Sequence, residues 1–476
     1  MSTLTIKATH LARAGYLSVL AKDSINRRIF KAMLTVGALS AIVKLAATLK
    51  EVALARCFGA NDQLDAFLVA FLLPAVVMNI AAGSFNAALI PTYIEVRERD
   101  GRDAADQLFA SVMVWTLALL VVIAITMAMA APLLLSLLGS GFSPEKLALT
   151  ERLFLLLLPA LPFVGLFVTW AAVLNAGERF AFAAIAPALT PIAMIAIIIM
   201  AGNRWGIHAV VAAQLIGVVL EGTLLAIALR RQGVSFVPRW HGFSPAMRQV
   251  MRQYVPMIAA GSLMSSTMLV DQAMAAALGA GSVAVLNYGN KTSAAIAGIG
   301  SVAVTTAVLP HFSRMAAARD WSGVRHSLKV YTRLVLLVSA VATVVLVLLS
   351  QPIIRVLFER GAFTADDTLQ VAAVQRLYIL QLPVYLAGLL YVRLLSALKA
   401  NHILMAGTLI SFALNLGLDY LLMRWLGVAG IALATSLVYA AAFTFLVLMT
   451  FRVLKRAEAT DSCSARLPRY LHKLCD

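Results

Sequence analysis

Charged side chains interrupt the apolar stretches of this chain at a few places: Lys44, Lys50, Glu51, Glu221, Asp271, Lys291 and Asp419, with Arg56 and Asp65 at the rims of two stretches. An ionisable group in hydrocarbon costs at least about 2.5–3.5 kcal/mol on insertion scales, so each of these must face a cavity or a partner. Lys44 and Glu51 are seven residues apart and share a helix face, while Lys50 lies to one side. At 1.5 Å per residue, Lys50 sits roughly 8 Å and Lys291 roughly 9 Å below the outer end of its stretch, with Asp271 at a similar depth. Lys50, Glu51, Asp271 and Lys291 are therefore expected to meet at one level. Paired off, they are structural ion pairs. With Lys44 included, three cations face two anions, and surplus cations in a cavity suit an anionic cargo such as a phosphate or pyrophosphate. Glu221 and Asp419 have no evident partner in the sequence, and either a coupling-ion or proton role or plain helix packing accounts for them. Arg376 and Arg393 lie near stretch ends, where long side chains snorkel.

The elements that hold these groups are membrane spans. Of 476 residues, 61% are hydrophobic and 13% charged, against about 25% charged in a soluble domain. A span needs about 20 mostly apolar residues, and twelve are expected: 32–55, 65–92, 107–137, 153–175, 181–202, 207–228, 254–278, 285–309, 334–350, 370–398, 403–422 and 427–451. The first 31 residues read as a basic, interfacial amphipathic segment. The net charge of +17 invites a nucleic-acid partner, but its distribution removes that reading. Of the 39 basic residues, 27 fall on the face that carries both termini, seven on the other and five within spans. The bias places both termini in the cytoplasm. Cys57, Cys463 and Cys475 are too scattered for a disulfide framework. No H-E-x-x-H, G-x-S-x-G or Walker pattern occurs, so neither an enzyme nor a cofactor or metal site is expected.

The chain also repeats itself. Leu54–Pro91 and Met274–Pro310 align so that Gly59 matches Gly279 and Pro91 matches Pro310. Six spans per half preserve orientation, giving two pseudo-symmetric lobes, 32–228 and 254–451, joined by a basic linker at 229–253 and followed by a basic tail at 452–476. Such a pair of lobes is the frame of an alternating-access transporter.

Several runs carry a family likeness. Ala55-Arg56-Cys57-Phe58-Gly59-Ala60, Asp65 to Pro74, Ala82-Gly83-Ser84-Phe85 and Pro91 resemble the opening of the MurJ/MviN lipid II flippases of the MOP superfamily. Leu174 to Phe180 and Leu286 to Lys291 are similar to further segments of that family. Phe358-Glu359-Arg360-Gly361-Ala362-Phe363-Thr364 is the most specific match. By local chemistry alone, Gly361 ends a helical turn, and Thr364 with Asp367 makes a capping box. The resemblance implies an all-α polytopic fold of the MOP/MATE type and a bacterial inner-membrane location. It implies transfer of an undecaprenyl-pyrophosphate-linked glycan to the outer leaflet. On it, Lys44, Lys50 and Lys291 stand where the family has arginine, Glu51 where it has an acid, and Asp65 matches directly. Lysine offers a point charge where arginine grips a diphosphate in a fork, and Met78-Asn79 replace a basic pair. Lipid II and an exopolysaccharide or O-antigen unit both remain as cargo, the latter slightly favoured, with membrane lipids and glycan synthase or polymerase components as partners. The other readings are a MATE-like small-molecule antiporter, against which Lys44 and Lys50 argue, and a non-transporting scaffold of a synthase complex.

Overall fold

The computed structural model describes residues 25–398 and 400–466. The interfacial segment expected over 1–31 and the end of the 452–476 tail lie mostly outside them. Among the described residues there are helices and turns and no strand. In chain order the helices are α1 Ile25–Phe58, α2 Asp62–Arg99, α3 Arg102–Met129, α4 Ala131–Leu138, α5 Pro144–Leu157, α6 Ala160–Ala176, α7 Phe180–Ile185, α8 Leu189–Trp205 and α9 Ile207–Arg231. The second half holds α10 Pro245–Ala276, α11 Ser282–Ala317, α12 Trp321–Leu348, α13 Ser350–Phe358, α14 Ala365–Ile379, α15 Leu382–Ala397, α16 Asn401–Leu426 and α17 Val428–Arg466.

Among the described residues, eight helical stretches are long and apolar enough to cross a membrane, and the pair α5 and α6, bent by 41°, makes a ninth. The three other stretches expected to span fall on α1, α10 and α11, which are 34, 32 and 36 residues long. All three are long enough to cross a membrane. Elsewhere the outward surface is hydrocarbon: α12 exposes Leu334, Leu337, Val338, Val341 and Val344, a stripe that belongs in lipid rather than water. The chain is a multi-pass membrane protein.

The repeat is written in the helix order. Helices α2, α3 and α4 begin at 62, 102 and 131, and α11, α12 and α13 begin at 282, 321 and 350, an offset of 219 or 220 throughout. Proline marks several of the interruptions, since it removes a backbone donor and crowds the preceding turn. Pro132 and Pro383 open α4 and α15, and Pro187 sits in a one-turn 3₁₀ segment between α7 and α8.

The chain forms two compact units. The first comprises residues 25–53, 77–128 and 156–258, the second 54–76, 129–155 and 259–466. The first packs around Phe109, Met113, Trp170 and Tyr254, with the Trp170 indole N–H on the Met113 sulfur at 3.1 Å. The second has a core around Phe312, Leu328, Leu390 and Tyr391.

Candidate functional site

Asp65 is a buried carboxylate of the second unit with three hydrogen-bond donors. It is fully buried in the first turn of α2. It accepts from the backbone N–H groups of Gly281 at 2.7 Å and Ala284 at 2.8 Å, which are orphan donors at the start of α11. The carboxylate therefore caps a helix supplied by another part of the chain, where the dipole favours negative charge. Lys146 of α5 closes the arrangement: its ammonium is 2.9 Å from Asp65, 2.5 Å from Asp62 and 3.9 Å from the Phe142 ring centroid. Lys146 escapes sequence reasoning, which counts it as one more loop charge. Its side chain is only 8% exposed, and nothing in its sequence surroundings reports that.

The run Phe358 to Thr364 explains itself against the turn between α1 and α2. Phe358 and Phe363 pack on Tyr288, with ring centroids 5.1 and 5.6 Å away. Ala362 N–H donates to the Arg56 carbonyl at 2.8 Å. Glu359 accepts from the Thr368 hydroxyl at 2.8 Å and pairs with Arg355 at 3.4 Å. Thr364 and Asp367 form the expected reciprocal capping box at the start of α14. Arg360 is exposed and bonds the Val356 carbonyl. Gly361 takes a left-handed φ of +66°, and a Cβ there would run into the Arg56 carbonyl. Gly361→Ala is expected to cost about 2–3 kcal/mol, combining left-handed strain with disturbance of the Ala362–Arg56 bond. Thermal unfolding of the purified protein reads this, and an unchanged midpoint would contradict it.

The lysines divide between the units. In the first, Lys50 pairs with its neighbour Glu51 at 3.0 Å, the carboxylate being the more buried partner. Lys44, on the same helix, is exposed. In the second, Lys291 is exposed on α11. Neither Lys44 nor Lys291 makes an ion pair among the described residues. Arg56 is exposed and takes part through its carbonyl.

Asp271 makes no ion pair with a lysine among the described residues. Its carboxylate accepts from Asn415 Nδ2 at 3.2 Å and lies within hydrogen-bonding reach of Asp419. Asn415 and Asp419 are fully buried on α16, and Asp271 is 8% exposed on α10. Among the described residues both Asp419 oxygens and Asn415 Oδ1 have no donor. The partner that sequence reasoning could not find for Asp419 is thus Asp271. Asn415 was missed although it lies four residues before Asp419 on one helix face. Glu221, on α9 in the first unit, bonds Thr190 and joins neither group.

The matching family model is that of the lipid II flippase MurJ, and it covers residues 54–464. The chain belongs to the MurJ family. It is a transporter rather than an enzyme. MurJ relatives share its sequence over most of their length. "Probable lipid II flippase MurJ" of Rhizobium tropici is 29% identical over 427 residues, covering 86% of this chain and 78% of that protein. "Lipid II flippase MurJ" of Burkholderia cenocepacia is 26% identical over 383 residues, covering 77% and 72%. The fold is that of a solved MurJ in an inward closed conformation, with a TM-score of 0.77 at 22% identity and 90% of each chain covered. An inward-facing MATE transporter of the MOP superfamily matches at 0.74 and 14% identity, covering 90% of this chain and 99% of the other.

Proposed function

We propose that the chain is a flippase for lipid II in the bacterial inner membrane, carrying the undecaprenyl-pyrophosphate-linked glycan from the cytoplasmic to the outer leaflet. The observation that carries this reading is the match to the MurJ family model across residues 54–464. No relative quoted above is named for an exopolysaccharide, so lipid II takes precedence over that cargo. The MATE likeness concerns the fold, and surplus lysines suit an anion better than the cations such exporters take. The lobes are those of the sequence repeat, 32–228 and 254–451, with 229–253 linking them on the cytoplasmic side beside both termini. That sidedness rests on the 27-to-7 division of basic residues.

In this mechanism the pyrophosphate pairs with Lys44, Lys50 and Lys291, and rocking of the lobes exposes it outside. Exposure of Lys44 and Lys291 leaves them available to an anion, and Lys50 is held ready by Glu51. The Asp271–Asn415–Asp419 cluster binds the coupling cation. Two buried carboxylates in contact, with acceptors left over, are costly until a positive charge joins them. Expression of the chain in cells depleted of their own lipid II flippase is expected to restore growth. Lys50→Ala and Lys291→Ala are each expected to insert normally and to lose outer-leaflet lipid II in an accessibility assay. Failure of the wild type to rescue, or full transport by both variants, would overturn the assignment.

A further inference from the structure

A cavity of about 350 Å³ opens in the first unit where three interhelical connections converge. Four arginines line it: Arg97 near the end of α2, Arg102 at the start of α3, Arg179 between α6 and α7, and Arg231 at the end of α9. Their roles differ. Arg102 is a strut, donating to the carbonyls of Gln232 at 2.7 Å and Gly233 at 3.2 Å and standing 3.9 Å from Asp106. Asp106 is also held by the buried Tyr93 hydroxyl at 3.3 Å. Burial, reinforced by Asp106, pushes that phenol up to about 12, so Tyr93 stays a donor. Arg97, Arg179 and Arg231 make no ion pair among the described residues.

Two features shape the cavity beyond its charge. The first is a stranded neutral donor: Gln232 Nε2 is buried against the cavity with no acceptor among the described residues. Such groups are uncommon unless something else satisfies them. The second is the turn that presents Arg179. Gly177 N–H returns to Val173 O and Arg179 N–H to Leu174 O, both at 2.9 Å, and Glu178 between them is left-handed at φ +59°. These bonds make a helix C-cap with Glu178 at its left-handed position, and the cap fixes the direction in which Arg179 leaves α6. Gly177 in turn leaves room for Gln232, whose Oε1 would lie 3.1 Å from a Cβ at that position.

We propose that this cavity binds a phosphate-bearing anion, with Arg97, Arg179 and Arg231 on its oxygens and Gln232 Nε2 as an added donor. Guanidinium groups match phosphate geometry in bidentate fashion. At about 30 Å³ per water, the cavity holds roughly ten waters, enough to admit a phosphate with part of its hydration. The same chemistry is offered by an anionic phospholipid headgroup and by soluble phosphate.

The test uses the purified full chain in nanodiscs, with thermal protection as readout. One arm titrates inorganic phosphate into phosphatidylcholine discs, and the other replaces part of the phosphatidylcholine with phosphatidic acid. Protection by phosphate identifies a soluble source, protection by phosphatidic acid alone identifies a headgroup, and either result supports the site. Arg179→Gln with Arg231→Gln is expected to weaken the protecting anion by at least about tenfold per arginine. Gln232→Leu, which removes the stranded donor, is expected to fold at least as well and to bind several-fold more weakly. Arg230→Gln, the exposed neighbour outside the cavity lining, is expected to bind as the wild type does. No protection in either arm, or equal weakening by Arg230→Gln, overturns the proposal. Transport is not measured, so this result is separable from the fate of the flippase reading.

Discussion

Asp65→Ala is expected to destabilise the protein by about 3–5 kcal/mol, the cost of removing one partner from a buried charge pair. Three losses coincide. The Lys146 ammonium, 8% exposed, keeps only Asp62 as a counter-charge among the described residues, and the N–H groups of Gly281 and Ala284 lose their acceptor. Variants separate these contributions. Asp65→Asn retains an oxygen for one N–H while losing the charge, and is expected to fall between wild type and Asp65→Ala. Asp65→Leu combined with Lys146→Met removes both charges, which is often neutral or favourable. The two uncapped donors remain, at about 1–3 kcal/mol each, so recovery should be partial. Thermal unfolding in detergent, followed by tryptophan fluorescence, orders the four proteins. If Asp65→Ala unfolds with the wild type, the carboxylate does not anchor α11. If the double variant is no better than the single, the charge pair is not the main contribution.

That anchor shows where sequence reading stops. Asp65 is visible as an acid at the mouth of an apolar stretch, but its partners come from 81 and 216 residues away. Periodicity carries no information about contacts at such separations. What the sequence does convey is regular. Apolar stretches report the lipid-facing helices, and the 219–220 spacing of Gly59/Gly279 and Pro91/Pro310 reappears in the helix starts. The capping box at Thr364 and Asp367 was legible because its atoms are three residues apart. The depth argument grouped Asp271 with Lys50 and Lys291, whereas its contacts are Asn415 and Asp419, because depth along the normal says nothing about which neighbouring helix faces a side chain.

Asp419→Asn is expected to separate stability from transport. A cluster that served only packing would lose by the change, or stay unaltered in both properties. The geometry favours a different outcome. Asp419 and Asp271 are carboxyl groups within hydrogen-bonding reach of each other, buried on separate helices, and both Asp419 oxygens lack a donor among the described residues. An amide in place of one carboxyl removes the cost of burying a second ionisable group and supplies an N–H to Asp271, so the unfolding midpoint should hold or rise. The same change removes a negative charge that a coupling cation needs. Coupling free energies of about 1–3 kcal/mol correspond to roughly 5- to 150-fold, and outer-leaflet delivery of lipid II should fall within that range. Asp271→Asn is expected to behave alike, and the two changes together should cost little more than either alone, because groups acting as one unit are strongly non-additive. Wild-type transport by both single variants would assign the cluster to packing, and additive losses would mean that the two carboxylates act on separate steps.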